Sequence, residues 1–539
     1  MPPSGRAPPS GGRPPAPRVR ELLTVALRHH QAGRLNEAEG LYQQVLQGEP
    51  QNADALHFLG VLAHQVGRND QAVELISRAI AQNARVPAFH NNLGNALKAQ
   101  GQLSAAAESY RRALTEKPDY VEALYNLGIT LQTERRWEEA ADSYRRALSL
   151  KPRHAEAHNN LGNVLHAQGQ LEAAIASYGS ALSCRPNYLQ AQLNLGNALK
   201  SRGELAEALA AYLRVLALKP DCAEAHNNLG IVLLQQNKLE EAAAAYGRAL
   251  SCKPDYTEAY NNLGNVLQEQ GKMSAAAAAY RSALALKPDY AEARLGLAVA
   301  DIPVFTDTVA ESNAVAAQFA RSLDELAAWH GANPGALGPA VGMVQPFFLA
   351  YRPFDVTALL ARYGDLVSAA AAAYWRQHTY NTTVAVAHPS RDRIRLGIVS
   401  GQVRAQHPVW EIVLRGIIAH LDRREFEVFL YHTGTTADED TAWAASHSDR
   451  FVQGPRSTPA WLDELSRDRP DVLFYPEVGM DPATCALAAL RLAPLQVVGW
   501  GHPVTTGLPT VDLFVSGELL EGPGAEQHYR EQLVRLPGT

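Results

Sequence analysis

The chain has few cysteines, no long apolar run and no excess of positive charge. Its 539 residues include four cysteines, Cys184, Cys222, Cys252 and Cys485, which form no CxxC pair and no metal-ligand spacing. We therefore expect reduced, cytoplasmic conditions and no metal centre. No run of 18 apolar residues occurs, so no membrane span is predicted. The formal net charge of −6 provides no basic field for nucleic acid, which is not expected as a partner.

Several familiar motifs are also absent. No P-loop, GxSxG or HExxH occurs, and GQVRAQ stands where a dinucleotide-binding protein would have GxGxxG. The opening MPPSGRAPPSGGRPPAPRVR is rich in proline, glycine and arginine and has no apolar core. Residues 1–18 are therefore predicted to be a disordered tail rather than a signal peptide.

A Leu-Gly pair recurs every 34 residues, and its leucines are Leu59, Leu93, Leu127, Leu161, Leu195, Leu229 and Leu263. A small residue and then an aromatic follow in a second segment; the aromatics are Tyr110, Tyr144, Tyr178, Tyr212, Tyr246 and Tyr280. Most repeats close with proline. This is the tetratricopeptide pattern. It predicts a superhelix over residues 19–300, with eight helix pairs to about residue 290 and one further helix.

The glycine of each pair falls inside a helix, where glycine costs about 1 kcal/mol relative to alanine. A recurring glycine at such a place requires a packing reason. We therefore predict that the second helix of each repeat approaches the first closely at this glycine.

An asparagine precedes each Leu-Gly pair from the third repeat onward, and these residues are Asn92, Asn126, Asn160, Asn194, Asn228 and Asn262. Amides both donate to and accept from a peptide backbone without reading its side chains. We interpret the row as a binding surface for acceptor polypeptides. The alternatives are a solvated polar face and hydrogen bonds between neighbouring repeats.

The 34-residue period ends near residue 300. Residues 301–390 contain amphipathic helical segments separated by a Gly/Pro-rich stretch, which predicts a helical bridge. In residues 391–539, short apolar segments such as IRLGIVS, FEVFLYHT and DVLFYPEV alternate with helical sequence. This alternation predicts a parallel sheet covered on both faces, with ligands at the carboxyl ends of its strands.

Two histidines lie at these predicted strand ends. His407 stands in the loop GQVRAQHP, and histidine is the side chain best suited to accept a proton near neutral pH. His502 stands in GWGHPVTTG, where Thr505 and Thr506 add hydroxyl groups. Packing or capping at a turn is the alternative for each histidine.

Glu477 and Asp481 flank a glycine in the loop after the third predicted strand. They are candidates for the same cleft. Ordinary solvation of a loop is the alternative.

Together these features resemble the O-linked N-acetylglucosamine transferase and SPINDLY-like family, glycosyltransferase family 41. The matching segments are RIRLGIVSGQVRAQHPVWE, FEVFLYHTG and LRLAPLQVVGWGHPVTTGLPTVDLFVSGE. The form Trp-Gly-His-Pro is nearer to the bacterial and SPINDLY-like members. The resemblance implies an all-α tetratricopeptide superhelix followed by an α/β Rossmann-like lobe, which is the first half of a GT-B glycosyltransferase.

The resemblance also implies an inverting, metal-independent transfer of a sugar to Ser/Thr side chains of proteins. The donor would be a nucleotide-diphosphate sugar such as UDP-GlcNAc, used as a substrate, with no cofactor. His407 is similar in position to the family's active-site histidine, and Asp468 to an aspartate discussed as a proton acceptor. His502, Thr505, Thr506, Gly507 and Glu477 would line the substrate cleft.

From the same resemblance we expect the second lobe, which supplies most of the nucleotide site, to be missing from this chain. Activity of the chain alone is therefore doubtful, and a protein-binding scaffold with an inactive lobe is the alternative function. A homodimer is a possible assembly. The sugar and the acceptor proteins are not indicated.

Overall fold

The computed structural model describes residues 17–300, 302–303, 305–378, 392–454, 456–499 and 504–537. The first helix begins at Pro17, inside the segment predicted as a tail, and residues 1–16 of that segment lie outside the described residues. The chain divides into two compact units, residues 1–236 and 237–539.

The first unit is a series of helix pairs, as the 34-residue period predicts. Its described part contains helices α1 (Pro17–Gln31), α2 (Leu35–Gly48), α3 (Ala53–Gln65), α4 (Asn69–Gln82), α5 (Pro87–Ala99), α6 (Leu103–Glu116), α7 (Val121–Thr133), α8 (Trp137–Leu150), α9 (Ala155–Ala167), α10 (Leu171–Cys184), α11 (Leu189–Arg202), α12 (Leu205–Leu218) and α13 (Ala223–Gln235).

The contact between a repeat glycine and a repeat tyrosine explains both residues. A Cβ atom added to Gly94 or Gly128 would lie 2.6 Å from the ring of Tyr110 or Tyr144, respectively. Both tyrosines are fully buried. The glycine therefore makes room for the aromatic ring of the second helix, which confirms the predicted close approach.

The second unit begins with the last repeats and ends with an α/β lobe. Its helices are α14 (Leu239–Cys252), α15 (Thr257–Glu269), α16 (Met273–Leu286), α17 (Ala291–Ala300), α18 (Val309–Ala332), α19 (Thr357–Gln377), α20 (Arg415–His420), α21 (Glu439–Ser446), α22 (Thr458–Asp468) and α23 (Pro482–Ala488). The lobe's strands are β1 (Ile394–Ser400), β2 (Phe426–His432), β3 (Arg450–Gln453), β4 (Val472–Tyr475), β5 (Leu495–Val498), β6 (Leu513–Gly517) and β7 (Gln532–Leu536).

The sheet is parallel throughout, in the order β3-β2-β1-β4-β5-β6-β7. Alternate strand residues enter two different apolar cores, so both faces are covered. Val399 packs in a core with α19 and α22, whereas Ile398 packs in a second core around Trp410. The predicted Rossmann-like lobe is present, and α18 and α19 lie within the range predicted as a helical bridge.

Two strands differ from the sequence expectation. β3 was predicted as polar, helix-prone sequence, and β7 was not recognised as a strand. β3 (RFVQ) has one buried residue and β7 (QLVRL) has none, so neither carries the continuous apolar run that marks the other five strands. Pairing with β2 and β6 respectively holds them in the sheet.

In the part of the chain that the structure describes, no helix is both long and apolar enough to cross a membrane.

Candidate active site at the carboxyl edge of the sheet

The strand order places a crevice between β1 and β4. From β1 the chain moves outward through β2 to β3, and it then returns to β4 on the other side of β1. In open parallel sheets, ligands bind at the carboxyl ends of the strands where the order reverses. The segments that meet here are the loop after β1, the end of β2 and the loop after β4.

Glu477 is the buried centre of this edge. Its side chain has no solvent exposure. Oε1 accepts hydrogen bonds from the Ser400 hydroxyl and the Gly401 N–H, each at 2.8 Å. Burial raises the pKa of Glu477 to about 8, against the opposing effect of these hydrogen bonds. The carboxyl is therefore mainly protonated at neutral pH, and it ties the start of the β1 loop to the β4 loop.

Two aspartates bind further N–H groups of the same edge. Asp481 caps α23 by accepting from the Thr484 N–H at 2.9 Å, and it accepts from the Thr433 hydroxyl at 2.8 Å. Asp438 caps α21 and accepts from the Ala405 N–H at 3.0 Å. A phosphate group is commonly held by such loop and helix N–H groups. Here the protein's own carboxyl groups already bind them.

His407 lies at the end of the loop after β1. The preceding Gln406 has φ +60°, and its N–H donates to the Glu411 carboxylate at 2.9 Å, which holds the turn. Nδ1 of His407 is buried and has no hydrogen-bond partner among the described residues. Burial, together with the positive charge of Arg404, lowers the pKa of His407. The ring is therefore neutral at pH 7, the form that accepts a proton.

The sequence analysis missed His432, which closes the base of this edge. Its side chain is fully buried, and Nδ1 lies 3.1 Å from the Ser400 carbonyl oxygen. Nε2 has no partner in the described structure. A Cβ on Gly434 would lie 3.1 Å from Nε2 and 2.6 Å from the Gly401 carbonyl oxygen, so glycine is required beside this ring. The available signal was a polar residue ending an apolar strand.

The structure does not bring Asp468 to His407. Asp468 ends α22, immediately before β4 begins, and so lies at the amino edge of the sheet. It accepts from the Tyr431 hydroxyl at 2.8 Å and pairs with Arg450 at 2.9 Å. These contacts account for a structural role. A role as proton acceptor stays a prediction, and this geometry does not support it.

Thr505, Thr506 and Gly507 lie in a buried network. The Thr505 hydroxyl donates to Glu531 at 2.5 Å, and both the N–H and the hydroxyl of Thr506 donate to the same carboxylate. Gly507, with φ +71°, packs its backbone against α19. The hydroxyl protons of Thr505 and Thr506 are therefore both engaged by Glu531. His502 lies outside the described residues.

The repeat asparagines bond to the preceding repeat, which was one of the alternatives considered. The Nδ2 atoms of Asn92, Asn126, Asn160, Asn194 and Asn228 donate over 2.8–3.2 Å to a side chain about one period earlier. Asn194, for example, donates to Asn159 and Asn163. Asn262 also has a side-chain or electrostatic contact. Binding of a peptide by the row stays a prediction.

No group of three or more His, Cys, Asp or Glu side chains that could hold a metal ion occurs within the described ranges.

Comparison with known proteins agrees with the repeats. Models of the tetratricopeptide repeat match residues 29–95, 94–133, 125–188, 193–257 and 257–290. The probable UDP-N-acetylglucosamine–peptide N-acetylglucosaminyltransferase SPINDLY of Solanum lycopersicum is 29% identical over 130 residues, which are 23% of this chain and 14% of that protein. The corresponding protein SEC of Arabidopsis thaliana is 28% identical over 149 residues, 27% of this chain and 15% of that protein.

The chain contains tetratricopeptide repeats and is similar in part to the SPINDLY and SEC proteins. Its matches to the named transferases fall in the repeat region. They span about one seventh of the length of these two relatives.

One solved structure with partial structural similarity to this chain is a mutant O-GlcNAc transferase from Thermobaculum terrenum. It is 26% identical, with a TM-score of 0.45, over 65% of this chain and 57% of that chain.

Proposed function

We propose that this protein acts in protein O-glycosylation, transferring a sugar from a nucleotide-diphosphate sugar such as UDP-GlcNAc to Ser/Thr hydroxyls of bound polypeptides. Its relatives are named as peptide N-acetylglucosaminyltransferases. The observation that carries the proposal is His407, a neutral imidazole with an unpartnered Nδ1 at the carboxyl edge of the parallel sheet.

In the proposed reaction, His407 takes the proton of the acceptor hydroxyl as its oxygen attacks the anomeric carbon of the sugar. The bond from that carbon to the diphosphate oxygen breaks, and the nucleoside diphosphate leaves with the bonding electron pair. The new bond forms opposite the departing one, which inverts the anomeric centre. The residues of this chain supply acceptor positioning and proton transfer.

The carboxyl edge favours the acceptor over the donor as its occupant. Glu477, Asp481 and Asp438 bind the N–H groups that a diphosphate would otherwise use. The negative charge of a diphosphate would also be repelled by the nearby Asp481 and Asp438. An uncharged hydroxyl meets no such repulsion.

The repeat asparagines are proposed to hold the acceptor backbone. Each Nδ2 that bonds to the preceding repeat fixes the orientation of its amide. Among the described residues, no protein group donates to Oδ1 of Asn126, so this oxygen is available to an N–H group of a peptide.

The test is sugar transfer by the full chain to a Ser/Thr peptide pool, with UDP-GlcNAc, UDP-glucose and GDP-fucose as separate donors. We expect a sugar mass increment on peptides, abolished in His407→Ala and greatly reduced in His407→Gln. The acid limb of kcat/KM should lie below pH 6.5, since the pKa of His407 is lowered from that value. Transfer that is unchanged in both variants would overturn the assignment of His407.

A second candidate function is a polypeptide-binding scaffold. The observation that favours it is the carboxyl edge, whose N–H groups are bound by the protein's own carboxyl groups. Peptide binding by the wild type and His407→Ala alike, with no transfer from any of the three donors, would establish this function instead.

A further inference from the structure

A cleft of about 380 Å³ opens within the second unit, beside the carboxyl edge of the sheet. Its walls come from α15, from the loop between α18 and α19, and from the loop after β4. The residues that line it are Asn265, Gln268, Glu269, Gly342, Met343, Val344, Gln345, Gly479, Met480, Asp481 and Pro482. We call it the methionine cleft.

Two exposed methionines distinguish this cleft. Met343 and Met480 are 48% and 46% exposed, although the chain has only four methionines. They come from different segments of the chain and line the same space. An unbranched thioether side chain adapts its shape to an apolar partner, and exposed methionines are common where varied partners bind.

The opposite wall presents amide donors. The Tyr280 hydroxyl lies 2.7 Å from Oδ1 of Asn265 and 3.2 Å from Oε1 of Gln268, so it holds the oxygen sides of both amides. Neither NH₂ group donates to a protein acceptor among the described residues. These groups are therefore left for the carbonyl oxygens of a bound backbone.

The walls are held in place before any ligand arrives. Gly342, with φ +93°, packs its backbone against the Pro482 carbonyl, where a Cβ would collide. The buried Tyr363 donates its hydroxyl to the Val344 carbonyl at 2.9 Å. A cleft that is ordered in advance binds at a lower entropic cost.

The charge of the lining excludes acidic ligands. It includes the carboxylates of Glu269 and Asp481, and no lysine, arginine or histidine belongs to the described lining. An acidic side chain would meet repulsion with no compensating cation, whereas an apolar one would contact the two methionines.

We propose that the methionine cleft binds an extended segment of the acceptor polypeptide and selects an uncharged apolar side chain between Met343 and Met480, with the backbone carbonyls on Asn265 and Gln268. The proposal rests on the proposed function in taking the occupant to be an acceptor polypeptide. It goes further in naming a side-chain preference and the two residues that impose it.

The test uses the full chain labelled with photo-methionine and a defined library of 12-residue peptides that are neutral apart from the varied position. Each peptide contains one serine, and one neighbouring position is varied among Leu, Phe, Gln and Glu. We expect cross-links at positions 343 and 480, and few at 1 and 273. Affinity should increase from Glu through Gln to Leu, and each apolar carbon of Leu that is buried between the methionines should contribute about fourfold.

A double variant, Met343→Gln with Met480→Gln, keeps side-chain length but removes the apolar surface. It should abolish the preference for Leu over Gln, whereas the control Leu519→Gln, at a residue 82% exposed outside the cleft, should leave it unchanged. The proposal is overturned if the double variant keeps the preference, or if positions 343 and 480 do not cross-link.

Measuring sugar transfer with the same proteins separates the two proposals. Cross-links with the expected preference but no transfer would remove the transferase function and leave the binding cleft. Transfer with no side-chain preference would remove the proposed binding cleft and leave the transferase function.

Discussion

Among single residues, Glu477 is a carboxylic acid whose side chain has no solvent exposure. Its raised pKa means that the folded protein binds a proton which the unfolded chain releases near pH 4.5, the ordinary value for glutamate. Between that pH and about 8 the folded state binds more protons than the unfolded state. Stability therefore falls as pH rises through this range, by up to about 1.4 kcal/mol per pH unit.

The Glu477→Gln variant should remove this dependence. Glutamine keeps an oxygen for the Gly401 N–H and carries no ionisable proton. We expect the variant to gain stability relative to the wild type steadily from pH 5 to pH 8, measured as thermal unfolding of both proteins. Glu439→Gln, at an exposed position in the same lobe, is the control for the loss of one carboxyl group. Parallel curves for the wild type and Glu477→Gln would contradict the raised pKa.

The repeat glycines make a second prediction about single residues. In Gly128→Ala the new methyl group would lie 2.6 Å from the Tyr144 ring, so we expect a loss of about 1–3 kcal/mol. Gly179 also lies inside a helix, but no atom lies within 4 Å of its hypothetical Cβ. Gly179→Ala should therefore stabilise by up to about 1 kcal/mol.

Denaturant unfolding of the two alanine variants is the measurement. Equal changes in stability would show that helix propensity, rather than contact with tyrosine, determines the effect of replacing the repeat glycine. The sequence indicated that a packing reason existed. It did not identify the ring edge as the contact.

At the level of elements, α19 and the loop 504–508 are joined by backbone packing. Gly364 of α19 lies directly against the Gly507 carbonyl. Arg530 bridges the two, donating to the carbonyl oxygens of Ala361 at 3.1 Å and Gly507 at 2.9 Å. The helical bridge therefore holds one end of the loop that contains the predicted residues Thr505 and Thr506.

Gly364→Ala should loosen this loop, because a methyl group there would collide with backbone, which cannot rotate away as a side chain can. We expect destabilisation at or above about 3 kcal/mol. Amide hydrogen exchange at residues 504–508 should also become faster. Gly331→Ala in α18, where no atom lies within 4 Å, is the control. Unchanged exchange at the loop in Gly364→Ala would show that the contact is dispensable.

The elements were predictable to different degrees. β1 was predicted from Ile394 to Ser400 and has those limits, because a continuous apolar run buried on both faces is visible in a short window. β3 and β7 were missed, since their place in the sheet depends on a neighbouring strand. The predicted strand ends did locate His407 and Glu477 at one edge, but His432 was recognised only from the fold.

For the whole molecule, the repeat period predicts tolerance to deletions of one period. Each repeat packs mainly on its neighbours. Removing residues 121–154 deletes one period, from the start of α7 to the residue before α9. The two repeats that then become neighbours should pack through the same kinds of surface as before. We expect a folded protein with unchanged helix content per residue and a lower unfolding temperature. Removing residues 121–148 breaks the period and should give a poorly folded protein.

Circular dichroism of the two deletion proteins decides this prediction. Similar disruption by both would mean that individual repeats are not interchangeable. Similar tolerance of both would mean that the register of the repeats does not matter.

The sequence by itself determined the repeats, the helix pairs and the parallel sheet, because each depends on residues at fixed, short spacings. Only the tertiary structure decided the state of the candidate site. It buried Glu477 against Ser400, placed Asp468 at the opposite edge and engaged Thr505 and Thr506 with Glu531. Each of these contacts joins residues far apart in the chain, and burial and pKa follow from such neighbours rather than from local sequence.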